Sequence, residues 1–116
     1  MPHWAETVAR RYLEAHGYVL IAENYTVRRG EIDLVMYDGG VVVFVEVKQR
    51  KNTHFGTPAE AIGLEKRRRL WRTAQQFAID RYGRIDLEMR FDAVVITGSE
   101  RRHRLVHLKS IIMGEG

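Results

Sequence analysis

The sequence predicts an α/β fold: a mixed, mostly antiparallel sheet of about five strands with helices packed on its faces. Three observations carry that prediction. Apolar residues recur at helical spacing over 3–16 and again over 64–82. Two β-branched, apolar runs flank Gly39-Gly40, a pair that tolerates positive φ and so marks a hairpin. A further apolar run, Arg90 to Thr97, follows the second helix, and such a strand–helix–strand crossover places it parallel to the 41–48 strand or near it.

Taken in order, the first helix buries Trp4, Ala5, Val8, Ala9, Tyr12 and Leu13, with Gly17 as its stop. Glu6 stands in its first turn, where the helix dipole suits a negative charge. Tyr18 to Arg28 reads as a strand, with Ala22-Glu23-Asn24 as a bulge or bend. The hairpin of 30–48 follows. Gln49 to Gly56 reads as a loop carrying Arg50, Lys51 and His54, the last of these read as a solvated loop histidine. Thr57-Pro58-Ala59-Glu60 is a capping box with proline at N1, so a helix is expected to start there and to be interrupted at Gly63. The run from Leu64 to about Tyr82 buries Leu70, Trp71, Ala74, Phe77 and Ala78. Asp92 opens the strand after it, placed to fix Arg90 or a loop amide. Arg104 to Ile112 alternates as an edge strand does, and the last three residues read as frayed.

The chemistry-bearing stretch is 30–48. With a two-residue loop at Gly39-Gly40, Asp38 pairs with Val41, and counting back puts Asp33 opposite Glu46 and Glu31 opposite Lys48. One face then reads Ile32, Leu34 and Met36 against Val47, Val45 and Val43, wholly apolar. The other carries Val35, Phe44 and Val42 before it turns polar at one end. A three-residue loop would shift the pairing by one and send Asp33 and Glu46 to opposite faces. Two carboxylates directly opposite have Cβ atoms about 4.5–5.5 Å apart and repel. A site that holds them together needs a shared proton or a cation. Mg²⁺ binds through one or two carboxylates plus waters and phosphate oxygens. Lys48, on the same face, suits an attacking water or developing negative charge. That constellation fits metal-assisted hydrolysis of a phosphodiester.

Asp33 followed by Glu46-Val47-Lys48 on the next strand resembles the PD-(D/E)xK nuclease superfamily. The strings Gly30-Glu31-Ile32-Asp33-Leu34 and Val43-Phe44-Val45-Glu46-Val47-Lys48-Gln49-Arg50 resemble, more specifically, the YraN-like bacterial proteins. Phe55-Gly56-Thr57-Pro58 with Glu60-Ala61, Gly17-Tyr18 with Asn24-Tyr25, and Arg90-Phe91-Asp92 extend the likeness along nearly the whole chain. Ile32 stands where the superfamily name has proline, and Ala5 where family members usually have glycine. The resemblance implies a restriction-endonuclease-like or Holliday-junction-resolvase-like core. It also implies Mg²⁺ or Mn²⁺ held by Asp33, Glu46 and the Val47 carbonyl, with Glu6 completing the shell, and cleavage of DNA before RNA, structure-specific cleavage included. That family is defined by sequence, so the likeness fixes the fold better than the activity.

Lys66, Arg67, Arg68, Arg69 and Arg72 open the second long helix, a density that Glu65 alone cannot neutralise and that phosphate contact would use. Arg50, Lys66, Arg68, Arg69 and Arg72 are therefore the expected nucleic-acid contacts. Gln75 and Gln76, on the same helix, suit bases or backbone but need no function. The 116 residues are expected to form one domain, too small to enclose a duplex alone, so a homodimer or a partner protein is anticipated. A net charge of +4 is compatible with a polyanionic partner. No apolar run approaches the ~20 residues that span a bilayer, and no signal peptide is read at the start. Cysteine is absent, excluding disulfides and thiolate metal sites, which suits the cytoplasm. A binding module without chemistry, or an accessory protein docking through the basic helix, are the other classes. Opposed acids count against a pure binder, which has no need of them.

Overall fold

The computed structural model describes residues 3–28, 30–52, 56 and 63–111. Within them the order is α1 (Trp4–Ala15), β1 (Val19–Val27), β2 (Gly30–Asp38), β3 (Val41–Arg50), α2 (Leu64–Tyr82), β4 (Met89–Gly98) and β5 (His103–Leu108). The expected helix start at 57–60 and His54 lie outside the described residues. The five strands form one mixed sheet in the order β1-β2-β3-β4-β5, with β3 and β4 parallel and every other neighbour antiparallel. This is the α/β architecture the sequence predicts.

The hairpin forms as its glycines require. Gly39 (φ 53°) and Gly40 (φ 96°) both occupy the left-handed region, which only glycine enters without a Cβ penalty. The loop is two residues long, and the register runs from Asp38 opposite Val41 to Leu34 opposite Val45. Two cores follow from the alternation. Leu34, Met36, Val43 and Val45 pack with Ala5, Ala9 and Leu13 of α1, and with Val94 and Ile96 of β4. Val35, Val42 and Phe44 pack on the opposite face with Leu70, Ala74 and Phe77 of α2, and with Phe91.

Three details depart from the sequence expectation. Ile32 belongs to the α2 core with Val35, not to the α1 core with Leu34. Strict alternation fails across Asp33, where the neighbouring strand is also irregular. Asn24 sits at φ 49° between the pairs Glu23–Leu34 and Tyr25–Ile32. Trp71 is half-buried, and Thr73 is the buried residue of α2 that periodicity overlooked. A Cβ on Gly30 would fall on the Thr73 hydroxyl, so glycine is what lets β2 and α2 approach there.

The last strand stops at Leu108 rather than near 112, because Asp92 captures the chain. Wholly buried, Asp92 accepts from Arg90 Nε at 2.9 Å and the Ser110 N–H at 3.1 Å on Oδ1, and from Arg90 Nη2 at 3.0 Å and His107 Nε2 at 2.8 Å on Oδ2. Burial pushes this carboxyl up, but the hydrogen bonds from His107, Arg90 and Ser110 outweigh it and hold it below its ordinary value.

Candidate active site

The β2–β3 ladder ends at Leu34–Val45, one step short of Asp33 and Glu46. The next bonded pair would join Val47 to Ile32. Instead the Val47 N–H donates to Asp33 Oδ2 at 2.8 Å, so the carboxylate fills the gap that the strands leave. An extended residue points its N–H and C=O to the same side. The Val47 carbonyl therefore faces this opening too.

Here a cavity of about 230 Å³ lies between the sheet and the first turns of α2, with Glu31, Asp33, Glu46, Lys66, Arg69 and the Gly30–Thr73 contact around it. Glu46 is only 5% exposed. Burial, the charge of Asp33 and a hydrogen bond with Asp33 push its carboxyl up to about 8, against the pull of Lys66. Lys66 Nζ lies 3.0 Å from Glu46 Oε1. The ion-pair distance alone would suggest a charged Glu46. Burial and Asp33 are the stronger influences, because Lys66 is itself 42% exposed and partly screened by solvent. Near neutrality, Glu46 thus keeps its proton beside Asp33.

Glu6, in the first turn of α1, feels the same field. Its carboxyl is raised by partial burial and then by the charges of Asp33 and Glu31, with His3 and the Asn24 side chain pulling the other way. Glu6 does not line the cavity, and among the described residues no three His, Cys, Asp or Glu side chains stand together at metal-binding spacing. The donors at hand are the Asp33 and Glu46 carboxylates and the Val47 carbonyl. These are hard oxygens, the type that Mg²⁺ and Mn²⁺ take. Asp33 is held by the Val47 N–H on Oδ2 and by a hydrogen bond with Glu46. A Glu46 proton that a cation can replace makes the pair a fitting divalent site.

The other expected residues are distributed as follows. Lys48, two residues along β3 on the Glu46 face, is exposed and has no ion pair among the described residues. Arg50 is half-buried, donating to Thr97 Oγ1 at 3.0 Å and to the Gly56 carbonyl at 2.9 Å, which ties the end of β3 to β4. Lys66 is drawn inward to Glu46. Arg68 and Arg72 are exposed, and Arg69 reaches the cavity rim. Sequence reasoning missed the Lys66–Glu46 pair, which joins β3 to the first turn of α2. It also missed Gly30 and Thr73, whose signal was the glycine opening Gly30-Glu31-Ile32-Asp33.

Residues 5–96 match the uncharacterised protein family UPF0102. The chain belongs to that family. It is 44% identical over 108 residues to the UPF0102 protein Lxx14785 of Leifsonia xyli, covering 92% of this chain and 91% of the relative. Identity to the UPF0102 protein TTHA0372 of Thermus thermophilus is 46% over 105 residues, covering 90% of each. A UPF0102 protein of Alkaliphilus metalliredigens is 44% identical over 98 residues, covering 84% of this chain and 85% of the relative. The matched span contains all of α1 but its first residue, the hairpin, α2 and most of β4, and so every residue of the cavity. No helix among the described residues is long and apolar enough to cross a membrane.

Proposed function

We propose that this UPF0102 member is a Mg²⁺- or Mn²⁺-dependent nuclease that hydrolyses phosphodiester bonds, in DNA before RNA. One observation carries the reading: Glu46, buried beside Asp33, has its carboxyl pushed up to about 8 where the ladder opens beneath basic residues of α2. A fold that holds two acids in this way gains from a cation there. Asp33, Glu46 and the Val47 carbonyl would hold the ion, and the raised Glu6 carboxyl adds negative potential behind them. Bound there, Mg²⁺ or Mn²⁺ supplies Lewis acidity toward a phosphate oxygen and lowers the pKa of a coordinated water.

The chain's own residues do the rest. The Lys48 ammonium donates toward the attacking oxygen and stabilises charge as the new P–O bond forms. The bond to the leaving oxygen breaks, and the proton released by water ends on that alkoxide. Arg69, Arg68 and Arg72 contact the backbone, while Arg50 positions the end of β3 through Thr97. Lys66, 3.0 Å from Glu46 Oε1, would be free to turn to phosphate if a cation held Glu46. The Lys66–Glu46 pair also favours a second reading, a nucleic-acid-binding module in which lysine permanently replaces the metal.

Titrating Mn²⁺ separates the two. The nuclease reading expects one equivalent bound with proton release, and cleavage of a plasmid or a branched duplex. Asp33→Asn with Glu46→Gln should abolish both, and Lys48→Ala should abolish cleavage while leaving Mn²⁺ bound. Nucleic-acid binding that is indifferent to Mn²⁺, with no cleavage, would favour the binding module.

A further inference from the structure

A second cavity, of about 340 Å³, adjoins the first between the end of β1 and the middle of α2. Arg28, Arg72, Thr73, Gln76 and Asp80 line it, and Thr73 is the wall it shares with the acidic cavity. Its one carboxylate is already occupied. Asp80 Oδ2 accepts from the Tyr25 hydroxyl at 2.8 Å and Oδ1 from Gln76 Nε2 at 2.9 Å, both neutral donors. Neither Arg28 nor Arg72 has an ion pair among the described residues. Two arginines thus line one recess with no acid paired to either among the described residues. Arginine's planar fork is suited to two-point contact with phosphate oxygens.

We propose that this cavity is a second phosphate-binding subsite, in which Arg28 and Arg72 take the backbone phosphate next to the scissile one. The proposal rests on the nuclease reading of the acidic cavity. Adjacency supports it: Arg69 lies at the rim of the acidic cavity and Arg72 at the second, three residues apart on one helix and so neighbours on its surface. A strand whose scissile phosphate sits at Asp33 and Glu46 meets Arg28 and Arg72 as it continues past Thr73. The Gln76 amide nitrogen is already spent on Asp80, so the subsite contributes affinity and register before sequence preference.

The test is anisotropy of a labelled duplex oligonucleotide in EDTA across a range of KCl concentration. Because Arg28 and Arg72 share one phosphate, the double Arg28→Gln, Arg72→Gln variant should flatten the slope of log Kobs against log salt by about 0.9, and each single variant by part of that. Arg81→Gln, in the last turn of α2, should leave the slope unchanged. Arg28→Lys should retain most of the slope, which separates charge from any effect on folding. In Mn²⁺ the double variant should show a raised KM for cleavage. A double variant with the wild-type slope overturns the subsite and leaves the nuclease reading standing. Wild-type protein that binds no nucleic acid in EDTA or in Ca²⁺ overturns both. A slope that falls as expected in a protein that never cleaves establishes the subsite and removes the nuclease reading.

Discussion

Glu46 is a carboxyl group held where a charge is costly, and its proton is the most direct handle on the site. Its unfolded pKa is near 4.5 and its folded value near 8, so the folded state carries the extra proton between them. Stability contributed by that proton is full below about pH 4.5 and is lost as pH rises toward 8. Denaturant titrations in EDTA should therefore show stability falling over that window and levelling above it. Glu46→Gln copies the protonated carboxyl, and its amide can still donate to Asp33 and accept from Lys66. The variant should be flat over the same window and, at pH 8.5, more stable than wild type by on the order of 2 kcal/mol. Mn²⁺ should close that gap by stabilising only the wild type. A wild type whose stability rises from pH 5 to 8 would mean that Glu46 is ionised throughout by Lys66.

At the scale of elements, the site exists because β2 and α2 approach at Gly30 and part from strict pairing at Asp33. Gly30→Ala puts a methyl where the Thr73 hydroxyl stands, and that hydroxyl is itself anchored by donating to the Arg69 carbonyl at 2.8 Å. Overpacking of this kind costs about 1–3 kcal/mol. Thr73→Ala should cost about 1 kcal/mol alone for its lost bond. Because the hydroxyl is what the methyl strikes, the double variant should be more stable than the sum of the two losses, a coupling that a double-mutant cycle in urea would measure. Additive losses would show that the two residues do not meet. The hairpin was legible in the sequence, since Gly39-Gly40 sets the loop length and the loop length sets the register. The bounds of α2 and its parallel crossover were legible for a similar reason, as local periodicity and chain-order rules suffice. Ile32 was misplaced because the irregularity at Asn24 and the Asp33–Val47 bond belong to the assembled sheet. Lys66 reads as a phosphate contact in the sequence because nothing local reveals a partner twenty residues earlier.

Across the whole molecule, acidic and basic groups meet at one cavity, with Glu31, Asp33 and Glu46 on the sheet side and Lys66 and Arg69 on the α2 side. Glu6, Glu31, Asp33 and Glu46 lie toward the sheet, and Arg28, Arg68, Arg69 and Arg72 lie along α2 and the strand end facing it. The net charge of +4 attracts a polyanion, while the acids oppose its phosphate where the chemistry would occur. A divalent cation removes that opposition, so metal and nucleic acid should bind cooperatively, and thermodynamic linkage requires the coupling to be equal in both directions. Anisotropy with and without Ca²⁺, used as a hard-oxygen probe, should show tighter duplex binding with the ion, by about 5- to 150-fold. Asp33→Asn with Glu46→Gln removes the same opposing charge without a metal. That variant should bind duplex in EDTA nearly as tightly as wild type does in Ca²⁺, and Ca²⁺ should then change little. If the variant instead binds as weakly as metal-free wild type, the acids do not face the phosphate, and the substrate lies on α2 away from the cavity.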